Sequence, residues 1–320
     1  MKRILITGGT GFVGSALRQR CSRNESYDTR STSRRSAATS GEDPKEFQVG
    51  GLSADTDWRK SLEGVNTVIH TAARVHEMDE SDEDVEQKYE HANVCGTIAL
   101  ARQAFEAGVK RFIFLSTVKV NGESTPVGKA FHVHDEPRPV DVYGRSKLKA
   151  ERGLIQVCES TGMEYVIVRP TLVYGPGVRA NFAALIKWVS RGIPLPLAGI
   201  ENRRSMVALD NLVDLIVTCI DRQEAANKIF FAADGSDLGT SGLLRLVGDV
   251  MGMKARLFWV PPSVLKTLAA LSGQSQRASR LLDSLCVDMS YTMECLNWSP
   301  VVTCRQQLQK TVKSIRCQTT

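Results

Sequence analysis

The run Ile6-Thr7-Gly8-Gly9-Thr10-Gly11-Phe12-Val13-Gly14 spaces Gly8, Gly11 and Gly14 three residues apart, after the apolar stretch Arg3–Thr7 and at the head of a helical pattern reaching Arg23. That order dictates a local structure. A strand must end, the backbone must turn tightly, and a helix must start close against the strand with its free N–H groups turned toward an anion such as a pyrophosphate.

The alternation continues. Apolar runs at Asn66–Ala73, Arg111–Thr117 and Glu164–Pro170 are separated by amphipathic helical stretches at Val85–Ala107 and Tyr143–Thr161. Short apolar strands divided by helices predict a Rossmann-type α/β fold, a doubly wound parallel sheet covered on both faces. Beyond Pro170 the pattern loosens into the Pro/Gly-rich Val173–Phe182, then helices near Asn181 and at Leu212–Arg222, Ser241–Met251 and Arg305–Ile315, with strand-like Lys228–Ala233 and Arg256–Val260. The expected division is a dinucleotide-binding domain over 1–170 that carries the reactive side chains, and mainly a smaller C-terminal substrate lobe over 171–320, with room for the chain to return to the sheet. Open α/β folds bind ligands at the carboxyl edge of their strands, so the cleft between the two parts is the expected site.

The 41 basic and 35 acidic residues leave a net charge of +6. Scattered arginines offset by the acidic run Glu77–Asp84 describe solvated faces and argue against a nucleic-acid partner. No segment reaches the ~18 apolar residues of a membrane span, and the apolar stretch after Met1-Lys2-Arg3 is too short for a signal peptide. The expectation is a cytoplasmic protein with no membrane partner. Eight scattered cysteines read as reduced core thiols. His70, His76, His91, His132 and His134 lack partners at ligand spacing, so no metal is expected. Trp188 and Trp259 are expected in the core.

The end of the second strand decides which dinucleotide fits, because an acidic side chain there would accept hydrogen bonds from the adenine ribose of NAD. Asp28 has the spacing from Gly8, yet the strand pattern runs on and brings Ser33 to its end, with Arg34 and Arg35 following. Hydroxyl and guanidinium groups suit a 2′-phosphate. The cofactor is therefore expected to be NAD or NADP, with a slight lean toward tolerance of NADP.

Tyr143 and Lys147 stand four apart at the head of a helix and so share a face. A phenol with a reference pKa of about 10 exchanges protons poorly at neutral pH until a nearby cation favours its anion, and Lys147 can supply that cation. Ser116 and Thr117, ending the intervening strand, add hydroxyl donors.

With His70–Ala73, Asn93–Thr97, Leu115–Gly122, Arg169–Gly177 and Leu296–Pro300, these motifs resemble the extended short-chain dehydrogenase/reductases, in particular the NAD-dependent epimerase/dehydratase group acting on nucleotide sugars. The resemblance implies hydride transfer between a nicotinamide and a carbon of a UDP-sugar. Tyr143 would move the hydroxyl proton, and Lys147 would lower its pKa and hold the nicotinamide ribose. Thr117, with Ser116 as second choice, would bond the reacting oxygen. Asn181, Arg204 and Arg280 would meet the diphosphate. Cofactor contacts would fall on Gly8, Gly11, Phe12, Val13, Gly14, Ser33, Arg34, Ala72, Ala73, Tyr143 and Lys147. A homodimer through the long helices is implied as well. Two departures stand out: Ser33 replaces an acidic residue, and Gly50-Gly51-Leu52 replaces Gly-Asp-Leu/Ile.

Dehydratases of this group follow the threonine with Asp and Glu, since eliminating water needs a further acid and base. Val118 and Lys119 occupy those places and exclude dehydration. A 4-epimerase with retained NAD and a 4-ketoreductase with exchanging cofactor both survive. Arg34 and Arg35, and a likeness of Ser116–Glu123, Tyr174–Phe182 and Asn202–Val207 to bacterial O-antigen enzymes, favour reduction of UDP-4-keto-6-deoxy-N-acetylglucosamine to UDP-N-acetylquinovosamine in lipopolysaccharide biosynthesis. The alternative is a UDP-glucose or UDP-N-acetylglucosamine 4-epimerase. A non-catalytic dinucleotide sensor is disfavoured, because such proteins typically lose the tyrosine or the lysine.

Overall fold

The computed structural model describes residues 1–34, 45–75, 84–178 and 180–319. Arg35, His76 and most of the acidic run lie outside them, as does the side chain of Asn181. The strands are β1 (Lys2–Thr7), β2 (Tyr27–Ser33), β3 (Glu46–Gln48), β4 (Thr67–His70), β5 (Arg111–Leu115), β6 (Glu164–Pro170), β7 (Leu172–Tyr174), β8 (Met206–Ala208) and β9 (Lys228–Ala232). The helices are α1 (Phe12–Ser22), α2 (Arg59–Leu62), α3 (Val85–Tyr89), α4 (Gly96–Glu106), α5 (Val142–Thr161), α6 (Ala180–Ser190), α7 (Leu209–Asp221), α8 (Thr240–Met251), α9 (Pro262–Leu271), α10 (Ser275–Leu282), α11 (Ser290–Leu296) and α12 (Cys304–Thr319).

Seven strands form one parallel sheet in the order β3-β2-β1-β4-β5-β6-β9, and β7 pairs with β8 separately. The chain builds outward from β1 to one side, then crosses to β4 and builds to the other. That reversal opens a crevice above the carboxyl ends of β1 and β4.

The central strands read as unbroken apolar runs because both faces are covered. Ile4, Ile6 and Ile69 pack with Leu17 of α1 and Leu212 and Ile216 of α7. Leu5, Val68, Phe112 and Phe114 face the other way, onto Leu100 of α4 and Leu154 of α5. Each such side chain contributes about 1.5–3 kcal/mol by leaving water. The chain does return to the sheet after Pro170: β9 pairs with β6, Ile229 opposite Ile167. A further core, with Phe182, Leu185, Leu244 and Leu308, joins α6, α8 and α12.

Three expectations need correction. Arg256–Val260 is no strand; Leu257 makes only an isolated bridge with Leu195, because the opposing Pro194 and Pro196 have no N–H to extend a ladder and Pro261-Pro262 follow. Trp188 and Trp259 are not core residues but are 37% and 68% exposed. The helical stretch from Val85 is interrupted by a π-helical turn at Glu90–Cys95.

Candidate functional site

Where β1 ends, Gly8 takes φ +71, and a Cβ there would lie 2.9 Å from the Ala72 nitrogen. A Cβ on Gly14 would lie 2.1 Å from the Gly8 carbonyl oxygen, so the first turn of α1 presses directly on the loop. Gly11 caps α1 with no side chain to bond its leading N–H groups, which leaves them available to an anion.

The loop forms one wall of a cleft of about 700 Å³, which Gly8, Gly11, Ser33, Arg34, Ala72 and Ala73 also line. Gly14 stands behind the loop, and Phe12 and Val13 pack their side chains against the core; these three shape the cleft without lining it. Ser33 ends β2 as expected. Asp28 sits near the strand's other end, where Arg3 Nε at 2.8 Å and Lys45 Nζ at 2.9 Å hold its carboxyl below the usual range. Gly50 and Gly51 line the cleft, and so does Trp58, whose buried Nε1 has no hydrogen-bond partner among the described residues. A glycine cradle too close for any Cβ, unbonded helix N–H groups and an orphaned indole donor fit a dinucleotide.

At the end of β5 the extended chain sends Ser116 and Thr117 to opposite sides. Ser116, the second choice for the reacting oxygen, is buried and its hydroxyl donates to Glu151. Thr117 Oγ1 accepts from the Lys119 N–H at 3.3 Å and caps the short turn Val118–Val120. Lys119 pairs with Asp141 and, at 3.0 Å, with Glu123. Asp141 caps α5 by accepting from the Gly144 N–H at 2.6 Å. A Cβ on Gly144 would lie 2.8 Å from the Lys119 carbonyl oxygen, so the Thr117 turn and the head of α5 meet backbone to backbone. The two sequence features thus belong to one wall.

Tyr143 is half-buried, edge-on to Tyr89 with ring centroids 6.3 Å apart. Burial first, then Asp141 and Tyr89, push its phenol above the ordinary value. Lys147 is 2% exposed, its Nζ 3.9 Å from the centre of the Phe114 ring. Burial pushes its pKa down to about 7, and Glu151 opposes that. Lys147 is not among the influences on the phenol here, and burial drives both groups toward their neutral forms.

Several supporting residues escaped the sequence reading. Arg169 Nε and Nη2 donate to Glu151 at 3.0 and 2.6 Å, and Nη1 donates to Asn121 at 3.1 Å. Asn93, noticed only as part of a motif, donates to Ser146 at 3.0 Å and exchanges two bonds with the Arg74 backbone, tying the segment after Ala73 to α5. His70 is buried with its pKa lowered to about 3, hence neutral. Its Nδ1 meets Thr7 Oγ1 at 2.6 Å and its Nε2 meets Thr97 Oγ1 at 3.0 Å. These spacings of 18 to 63 residues are contacts between strands and helices, and no local pattern announces them.

Of the residues expected at a diphosphate, Arg204 has its pKa lowered by burial first; Asp283 and Cys286 oppose that, and the charge of Arg280 adds a smaller lowering. Arg204 Nη1 donates to the Asp283 carbonyl at 2.9 Å. Asn181 lies in the first turn of α6. Among the described residues no cluster of His, Cys, Asp and Glu could hold a metal ion, and no helix is long and apolar enough to cross a membrane.

Residues 4–233 match the model of the NAD dependent epimerase/dehydratase family. The chain is 43% identical over 314 residues, 98% of this chain and 95% of the relative, to a UDP-glucose 4-epimerase of Vibrio cholerae. It is 27% identical over 260 residues, 81% of this chain and 75% of the relative, to N-acetyl-alpha-D-glucosaminyl-diphospho-ditrans,octacis-undecaprenol 4-epimerase of Escherichia coli O157:H7. Its fold is shared with UDP-glucuronic acid 4-epimerase of Bacillus cereus, solved in complex with NAD, at TM-score 0.80 and 20% identity over 99% of this chain and 100% of that one.

Proposed function

Because the chain belongs to the NAD-dependent epimerase/dehydratase family, we propose that it is a UDP-sugar 4-epimerase. The observation that carries this is the 43% identity, along nearly the whole chain, to a UDP-glucose 4-epimerase. It replaces reduction of a 4-keto sugar as the first reading. The lean toward reduction rested on two arginines, of which Arg35 lies outside the described residues and Arg34 is exposed at the cleft's edge.

In this reading Gly8, Gly11 and Gly14 shape the pyrophosphate cradle, Ser33 and Arg34 face the adenine ribose, and Ala72 and Ala73 close the opposite side. A nicotinamide held there would supply the hydride acceptor and donor. Tyr143 takes the proton of the C4 hydroxyl and gives it back after the keto sugar has turned over. Thr117 hydrogen-bonds the same oxygen. Lys147, when protonated, stabilises the phenolate against the upward shift that burial imposes. Arg204 and Arg280, with Asn181, hold the diphosphate. Val118 is apolar and the charge of Lys119 is engaged by Asp141 and Glu123, so neither serves the extra acid and base that dehydration needs. Residues 1–170 would then carry the cofactor and the reactive wall, and 171–320 mainly the substrate. Exposed Phe105 on α4 supports a homodimer through the long helices.

One observation favours 4-ketoreduction as a second reading: the cleft meets the end of β2 with Ser33 and Arg34 and, among the described residues, no carboxylate there. The purified protein, given UDP-glucose with no added nucleotide, is expected to form UDP-galactose. Stoichiometric oxidation of NADH or NADPH by UDP-4-keto-6-deoxy-N-acetylglucosamine, with no epimerisation of UDP-glucose or UDP-N-acetylglucosamine, would replace the epimerase by the reductase.

A further inference from the structure

The net charge of +6 is not evenly spread. Residues 178–200 and 250–282 hold eight of the 41 basic residues and none of the 35 acidic ones, so together they exceed the chain's whole positive surplus. The fold brings the two stretches together. Leu195 donates to the Arg256 carbonyl at 2.8 Å, Phe258 to Leu195 at 3.0 Å and Ala198 to Phe258 at 3.1 Å. Trp259 lies over Gly199, its Nε1 2.6 Å from where a Cβ would stand.

The same surface is apolar. Helix α9 has no buried residue. Its Val264, Leu268 and Leu271, at i, i+4 and i+7, form an outward stripe with exposures of 44, 58 and 81%. Phe258 and Trp259 precede it at 48 and 68%. Lys187, Arg191, Lys254 and Arg256 are exposed around them. Of the four tryptophans, Trp58 and Trp298 are buried, and the exposed pair, Trp188 and Trp259, both belong to these stretches.

We propose that this face is a peripheral docking surface for an anionic lipid bilayer. A short helix with an aliphatic stripe, flanking indole and phenyl rings, and the exposed cations Lys187, Arg191, Lys254 and Arg256 is what an interfacial attachment requires, while Lys266 of the helix is engaged by Asp283 at 2.8 Å. The rings and aliphatic side chains enter the boundary between headgroups and acyl chains, and the lysines and arginines meet the lipid phosphates. The surplus of eight basic residues over none acidic within the two stretches favours a polyanionic surface such as a bilayer of anionic lipid. The absence of a membrane span is no objection, since the helix lies on the surface. Neither Arg204 nor Arg280 is needed for docking, so the proposal stands apart from the substrate reading.

The test is sedimentation of the full chain with vesicles of phosphatidylglycerol and phosphatidylethanolamine, and with phosphatidylcholine alone. Binding to the anionic vesicles alone, weakening at least tenfold between low and high salt, is expected. Leu268→Gln with Leu271→Gln, and separately Lys254→Glu with Arg256→Glu, should each reduce it at least tenfold with sugar turnover unchanged. Brominated lipids should quench the exposed tryptophans of the unaltered protein, a readout that needs no variant. Failure to bind anionic vesicles, or bound protein without quenching, overturns the proposal. So does a self-association of the chain that these substitutions abolish, which would make a second copy the occupant.

Discussion

Arg169 and Lys147 are both cations buried beside the same carboxylate, and the fold treats them in opposite ways. Arg169 takes both oxygens of Glu151 and also bonds Asn121, so its charge is neutralised where it stands. Lys147 feels Glu151 only through space and rests on the face of Phe114. With Glu151 already saturated by Arg169 and Ser116, burial dominates and Lys147 falls to about 7. Pairing makes one cation a structural strut beneath the site. Lack of pairing leaves the other able to respond to a charge that appears beside it, such as a phenolate.

The largest expected effect separates the reactive wall from its support. Tyr143→Phe should lower turnover about 10²–10⁴-fold while nucleotide binding and the denaturation midpoint stay near the parent's. Retained turnover would leave the fold with a sensing role instead. Next, Arg169→Met strands the carboxylate of Glu151 and should cost about 3–5 kcal/mol in urea unfolding. Adding Glu151→Leu should restore much of it; if the single change costs little, the strut and the reactive cation are not as different as drawn.

Lys147 itself should leave a signature in the pH dependence of stability. Its folded pKa is depressed to about 7 from the ordinary lysine value of 10.5. Between those values the unfolded chain binds more protons, so this residue's destabilising contribution is full below pH 7 and fades as pH rises toward 10.5. Unfolding at pH 6.5 and 9 should show stability rising in the parent, without added nucleotide, and rising less in Lys147→Met.

The smallest effect concerns Lys119. Asp141 raises the phenol of Tyr143, and Asp141 is faced by Lys119, Glu123 and the Gly144 N–H. Lys119→Met removes the compensating charge, so the phenol should climb further and the acidic limb of the pH–rate profile should move to higher pH by under about one unit. Lys119→Arg should keep the parent profile.

Much of the site was readable along the chain because its parts are local. Gly8, Gly11 and Gly14 sit within one turn, Tyr143 and Lys147 within one helical turn, and Ser33 at the end of a strand whose pattern runs past Asp28. What was misread involved direction or distance. Thr117 and Ser116 are neighbours of the same chemical type, and only the strand's geometry shows that one caps the turn meeting α5 and the other bonds Glu151. Trp188 and Trp259 are large and apolar and so read as core, yet the face they occupy is left uncovered.

By itself the sequence determined the order of strands and helices and the types of reactive group at their ends, since periodicity and glycine spacing act over a few residues. Tertiary structure alone decided which of those groups carry usable charge. A pKa depends on what lies within a few ångströms, and for Lys147 that is Phe114 and a carboxylate already claimed by Arg169, all from different elements of the fold.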